Sequence, residues 1–182
     1  GGYLPTLCCE MVLQKARGID CCVLGEGELA CLELVRALSD HRDWHHLESI
    51  GYLQNGQAVI NPIRTPLKDL NVLPFPLRKP INPLFAPIST SRGCYGRCNY
   101  CGVREYYELC HTQAMRFRSP ENVVDEIESV HQEFHPDLFL INDETFLSAS
   151  KRRTAWLDRF CSLLEEKNLR IHFQALARAN DL

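Results

Sequence analysis

Ser91-Arg92-Gly93-Cys94-Tyr95-Gly96-Arg97-Cys98-Asn99-Tyr100-Cys101 sets three cysteines at intervals of four and three, with glycines among them. Three thiols this close on a flexible loop can turn inward onto one centre, and thiolates are the soft ligands that zinc and iron-sulfur clusters both take. The number three discriminates between them. A closed structural zinc site takes four protein ligands, whereas a 4Fe-4S cluster held by three leaves one iron open to bind something else.

Two plainer readings stay open beside the cluster. Zinc needs a fourth ligand, and Cys110 or His111, a few residues downstream, are within reach of such a loop. Alternatively the three are structural thiols without metal, because cysteine is among the residue types most often buried.

The C-x3-C-x2-C spacing, the Arg92-Gly93 pair before the first cysteine and the aromatic Tyr100 before the last resemble the cluster loop of the radical S-adenosylmethionine enzymes. The resemblance implies that Cys94, Cys98 and Cys101 ligate a 4Fe-4S cluster, that its open iron chelates the amine and carboxylate of S-adenosylmethionine, and that Tyr100 lies beside the adenine. In that family one electron from the cluster cleaves the cofactor to a 5'-deoxyadenosyl radical. An electron donor such as flavodoxin or ferredoxin is the implied partner.

The balance of the whole chain is that of a globular protein: of 182 residues 45% are hydrophobic and 24% charged, enough apolar material for a core. No apolar run approaches the ~20 residues a bilayer requires, and no charged-then-apolar signal segment opens the sequence, so a cytoplasmic protein is expected. The formal net charge is −3 and no Lys/Arg stripe appears, which disfavours a nucleic-acid partner; a small-molecule substrate is what the resemblance implies. Ten cysteines without a signal segment read as reduced thiols. Cys8, Cys9, Cys21, Cys22, Cys31 and Cys161 lack metal-site spacing and read as small hydrophobes.

From its start the chain reads as one end of an α/β domain. The opening Gly1-Gly2-Tyr3-Leu4-Pro5-Thr6, without methionine, suggests that an upstream part is missing. A helix is predicted over about Cys8 to Ala16, and Ile19-Asp20-Cys21-Cys22-Val23-Leu24 is an apolar run of strand length between Gly18 and Gly25. Gly25-Glu26-Gly27-Glu28 then turns the chain into a helix marked by Leu29, Leu32, Val35 and Leu38 at helical spacing. Such a turn at a strand end can hold a ligand on backbone amides, or it is a tight turn with two solvated acids. The order Gly-Gly-x-x-Pro-Thr, Gly-Ile-Asp before a strand, and Gly-Glu-Gly-Glu heading a helix is similar to the end of the cobalamin-binding domain that precedes many radical S-adenosylmethionine domains. That resemblance implies a Rossmann-like fold, with Gly1, Gly2 and Thr6 near the cobalamin nucleotide tail and Gly25, Glu26, Gly27 and Glu28 at the neighbouring strand end. The resemblance also implies that the first half of this domain is absent, so the segment alone is expected to bind cobalamin poorly or not at all.

His41, His45 and His46 stand in a polar segment without partner ligands and read as a solvated helix end. Tyr52 to Ile60 reads as a hairpin around Asn55-Gly56. Residues 62 to 87 hold seven of the ten prolines, a composition that predicts a stiff connector and a domain boundary.

Beyond the connector, the short β-branched run Ala86-Pro87-Ile88-Ser89-Thr90-Ser91 fits a first strand whose carboxyl end delivers the cysteine loop, the usual place for chemistry in βα barrels. Ser119-Pro120 is an N-cap and N1 pair, and Val123, Val124, Ile127, Val130 and Phe134 make one helical face. Asp137 to Ile141 is a strand ending in Asn142-Asp143-Glu144-Thr145-Phe146. A helix over about Ser150 to Asn168 buries Trp156, Phe160, Leu163 and Leu164, and Arg170 to Leu176 is a third strand. The order β-loop-α-β-α-β calls for a parallel sheet with right-handed crossovers.

Asp143 and Glu144 can either bind an ammonium group or cap the next helix. Their position resembles the place where the family holds the amino group of S-adenosylmethionine, which implies Glu144 as the contact, with Asp143 second. Arg178, after the third strand, is at the same rim; it meets a carboxylate or a substrate, or is a surface arginine. The expected organisation is residues 1–60 as the C-terminal part of a Rossmann-like cobalamin-binding domain, 61–87 as linker, and 88–182 as the first half of a radical S-adenosylmethionine barrel. The third strand is then expected to leave one sheet edge unpaired, and the fragment by itself to be inactive. The expected function is reductive cleavage of S-adenosylmethionine, with cobalamin-dependent methyl transfer, ring closure or rearrangement; the alternatives are a methylthiotransferase and a non-catalytic zinc protein.

Overall fold

The computed structural model describes residues 1–79, 84–112, 115–148 and 150–181. They group into two compact units, Gly1–Leu67 with Tyr95–Gln113, and Lys68–Cys94 with Ala114–Leu182. The division is not contiguous in sequence: the segment from Tyr95 onward joins the N-terminal unit.

In the first unit, two short helices, α1 (Tyr3–Leu7) and α2 (Cys9–Lys15), precede strand β1 (Cys21–Val23) and helix α3 (Glu28–Ser39). The single helix expected over Cys8 to Ala16 is thus preceded by another turn of helix that starts at Tyr3. Strands β2 (Ile50–Gln54) and β3 (Gln57–Ile60) form the expected hairpin. Asn55 and Gly56 both have positive φ, the conformation that a two-residue hairpin turn requires. The sheet order is β1-β2-β3, and β1 pairs antiparallel with β2. Gly51 permits close contact between hairpin and α2, since a Cβ there would lie 2.3 Å from Cys9 Sγ. Cys9 and Cys22 share a small core with Leu13 and Leu24, whereas Cys8, Cys31 and Cys161 are exposed and not the core hydrophobes their sequence context suggested.

Helix α3 buries Ala30, Leu34 and Ala37, while Leu29, Leu32, Val35 and Leu38 lie on its outer side. The stripe that identifies the helix in the sequence is therefore not the face that packs on Ile50 and Tyr52. A further helix, α4 (Val103–Leu109), follows the cysteine loop and packs Tyr106 against Tyr3 of α1, ring centroids 4.5 Å apart. Nothing in the apolar pattern of so short a stretch signals it.

The second unit contains the expected parallel sheet. Strand β4 (Phe85–Ile88) pairs with β7 (Leu138–Ile141), and β7 with β8 (Phe173–Ala175), all parallel. Between them come a two-residue ladder of β5 (Ser91–Arg92) and β6 (Arg116–Phe117), and helix α5 (Pro120–Phe134). Helix α6 (Lys151–Glu166) joins β7 to β8. Ser119 caps α5 as read, accepting a hydrogen bond from the Asn122 amide, and Ser150 caps α6 in the same way from the Arg153 amide. Val123, Val124, Ile127 and Val130 of α5 and Trp156, Phe160 and Leu163 of α6 pack with Ala86, Ile88, Phe139 and Ile141 into one core. This geometry places the carboxyl ends of β4, β7 and β8 along one rim.

The proline-rich segment is tied down where it is described. Arg64 is bonded to Glu33 at 2.7 Å and to Glu48 at 3.0 Å. In the second unit Arg78 and Arg118 both bind the buried carboxylate of Glu126, and Arg78 also donates to Pro87 O.

Candidate functional site

The rim is built by three chain segments leaving parallel strands. After β4, Thr90 to Cys94 leads into the cysteine loop; after β7 come Asp143 and Glu144; after β8 comes Arg178. Cys94 follows Gly93, whose φ of 96° lies in the left-handed region that favours glycine. Cys94 and Cys101 are half-buried and Cys98 is exposed, and the Cys101 amide donates to Cys98 O at 3.1 Å in a turn. Among the described residues no three His, Cys, Asp or Glu side chains are gathered as a metal site. The donor set itself fits an iron-sulfur cluster: three thiols within one short loop, Gly93 before them and Gly96 among them, and no fourth thiol in the run.

Cys110, the nearest further thiol, is fully buried with Tyr106, Tyr107, Leu7, Ile63 and Val103. That packing is the environment of a structural cysteine. His111 is exposed. Tyr100 is 92% exposed.

The two acids after β7 differ sharply. Asp143 is 1% exposed, and its Oδ1 accepts the amides of Thr90 at 2.7 Å and Ser91 at 3.1 Å while Oδ2 accepts their hydroxyls at 2.5 and 2.7 Å. Burial raises its carboxyl above the ordinary value of 3.8, and these four hydrogen bonds pull the other way. Glu144 is half-buried at the same rim. Arg178 is half-buried, and its carbonyl accepts from the Asp181 amide.

Arg153, on the first turn of α6, is absent from the sequence-based candidates and is fully buried beneath this rim. Its Nε donates to Phe146 O at 2.6 Å, its Nη2 reaches Thr90 Oγ1 at 3.2 Å and lies 3.6 Å from Asp143 Oδ2. The guanidinium stands over the rings of Trp156, Phe146 and Phe117, 4.2 to 5.0 Å from their centroids. Burial lowers it to about 10, opposed by the charge of Asp143, so it stays protonated at neutral pH. Sequence offers no signal for this role, because an arginine near a helix start usually lies on the surface.

In the first unit the glycine-rich positions converge. Thr6 Oγ1 donates to Gly2 O at 2.7 Å and accepts from the Gly25 amide at 2.9 Å, and a Cβ on Gly1 would lie 3.2 Å from Val23 O. Gly25 has φ 69°, and a Cβ there would meet Ile63 at 3.0 Å and Cys110 Sγ at 3.1 Å. The structure thus brings Gly1, Gly2, Thr6 and Gly25 to the carboxyl end of β1. Gly27 precedes the first turn of α3, Glu26 is half-buried and Glu28 exposed.

No family model matches the chain. It is 29% identical over 190 residues, its whole length, to the anaerobic magnesium-protoporphyrin IX monomethyl ester cyclase of Synechocystis sp., covering 36% of that protein. It is also 29% identical over 188 residues to an uncharacterized methyltransferase of Pyrococcus horikoshii, covering 39% of it. The chain therefore spans little more than a third of the length of these relatives. Among solved structures, the cobalamin-dependent S-adenosylmethionine radical enzyme OxsB with aqua-cobalamin bound superposes with a TM-score of 0.74 at 20% identity, over 95% of this chain and 25% of OxsB. The radical S-adenosylmethionine methyltransferase TsrM from Kitasatospora setae does so with a TM-score of 0.70 at 18% identity, over 96% of this chain and 35% of TsrM. TsrM has also been solved with cobalamin and a 4Fe-4S cluster bound. No helix among the described residues is long and apolar enough to cross a membrane. The chain thus shares the mixed α/β fold of these two solved enzymes, and its 182 residues match a segment of the length of its relatives.

Proposed function

We propose that this chain is the part of a cobalamin-type radical S-adenosylmethionine enzyme that holds the cluster and the methionyl end of the cofactor. The observation that carries the reading is the C-x3-C-x2-C run, whose first cysteine follows the exit of β4. Cys94, Cys98 and Cys101 bind three irons of a 4Fe-4S cluster as thiolates, and the buried Cys110 is not a fourth ligand. When bound, the cluster supplies the electron that cleaves S-adenosylmethionine to a 5'-deoxyadenosyl radical. The carboxylate of Glu144 takes the ammonium of the cofactor, Arg178 takes a carboxylate at the same rim, and Tyr100 covers the adenine. Gly1, Gly2, Thr6 and Gly25 to Glu28 stand at the strand end toward the nucleotide tail of cobalamin, as the last part of a Rossmann-like domain, and β4 to β8 are the first half of a partial barrel. An electron donor of the flavodoxin or ferredoxin type reduces the cluster.

The names of the relatives support methyl transfer or ring closure on a small molecule as the overall reaction. A similarity of 27% to a putative methylthiotransferase of Methanocaldococcus jannaschii supports sulfur insertion as the second reading. The test is anaerobic reconstitution, with iron and sulfide analysis and electron paramagnetic resonance of the reduced protein with and without S-adenosylmethionine. About four irons per chain, lost in Cys98→Ala, and a spectrum changed by the cofactor are expected. Stoichiometric zinc and no iron under the same conditions overturn the proposal.

A further inference from the structure

We propose that Asp143 and Arg153 are positioning residues that fix where Cys94 leaves the sheet, and that ligand contact at this rim falls to Glu144. The inference rests on the reading of the loop as a cluster site, and it assigns the two adjacent acids different work.

A carboxylate offers about four lone-pair directions, and those of Asp143 are filled by two amides and two hydroxyls from Thr90 and Ser91. An ammonium would have to displace one of these bonds inside a site that is 1% exposed. The same two residues are held on their other side. Thr90 O accepts from the Arg118 amide, and Ser91 and Arg92 pair with Phe117 and Arg116. The chain is therefore constrained from both sides as far as Arg92. Gly93 then turns it, and Cys94 is the next residue.

Arg153 extends the brace to α6, through Thr90 Oγ1 and the Phe146 carbonyl. Buried ionic groups cost desolvation that apolar side chains avoid, so their contribution is geometric: the Asp143 carboxylate has its four bonds filled in one arrangement, while Nη1 of Arg153 is left without a hydrogen-bond partner. The arrangement joins the exit of β4, the end of β7 and the start of α6 directly below the first candidate iron ligand.

The experiment removes the hydroxyl donors while leaving Asp143 in place. In Thr90→Val/Ser91→Ala, alkylation of Cys94 by iodoacetamide in metal-free protein, followed by mass spectrometry, is expected to speed up about tenfold relative to Cys161 on α6. Thr90→Ser/Ser91→Thr keeps both hydroxyls and is expected to restore the slow rate. If the double valine/alanine variant loses its circular dichroism, Ser91→Ala alone is read in the same way. An unchanged Cys94 rate in a folded variant overturns the proposal. Iron uptake measured in parallel separates the two readings: zinc loading with an accelerated Cys94 defeats the cluster and leaves the brace, whereas iron loading with an unchanged Cys94 does the reverse.

Discussion

Alanine at position 143 leaves four donors of Thr90 and Ser91 without their acceptor and Arg153 without its counter-charge, all at positions at most 3% exposed. Removing one partner of a buried charge pair costs about 3–5 kcal/mol, so Asp143→Ala is expected to lower the urea midpoint strongly, whatever the metal state. Glu144→Ala, at a half-buried position, is expected to shift it by less than about 0.5 kcal/mol. The pair is legible in the sequence only as two acids at a strand end. Which of them faces inward depends on Thr90 and Ser91, more than fifty residues earlier, and no local pattern reports that.

At the level of the element, α3 shows what periodicity does and does not determine. Leu29, Leu32, Val35 and Leu38 are all exposed, whereas Leu34 is 7% exposed against Ile50 and Tyr52. Leu34→Ala is therefore expected to cost about 2–5 kcal/mol, and Leu32→Gln or Val35→Gln less than about 0.5, in urea melts. The helix also anchors the connector through Glu33 and Arg64. The hydrogen bond from Arg64 holds the Glu33 carboxyl below its ordinary 4.5, so the contribution is complete above that pH and is lost as pH falls through the lowered value. Arg64→Met is accordingly expected to cost about 1 kcal/mol or less at pH 7, the scale of partly exposed pairs, and progressively less as the pH is taken below 4.5. The β2-β3 hairpin and the helices α5 and α6 were readable from local signals, because Asn-Gly turns, serine caps and apolar faces act within a few residues. The short α4 and the β5-β6 ladder were not, since both exist by virtue of contacts made elsewhere in the chain.

For the molecule as a whole, the parallel sheet has two different edges. Among the described residues β4 and β8 each pair only with β7. On β4, Pro87 has no amide to offer and its carbonyl is taken by Arg78, which blunts that edge. Phe173 on β8 and Leu176 just after it are 44% and 62% exposed, and no proline interrupts the strand. Concentration-dependent association through β8 is expected in light scattering, and Gln174→Lys is expected to reduce it. The sequence by itself determined the hairpin, the longer helices, the parallel order and the spacing of the three thiols, because caps, periodicity and cysteine spacing are encoded over short runs of residues. Only the tertiary structure decided that Asp143 braces the loop with Arg153, that Cys110 belongs to a core, and that Thr6 joins Gly2 to Gly25. Each of those is a contact between residues distant in the chain, settled by which groups could be buried together with their hydrogen bonds satisfied.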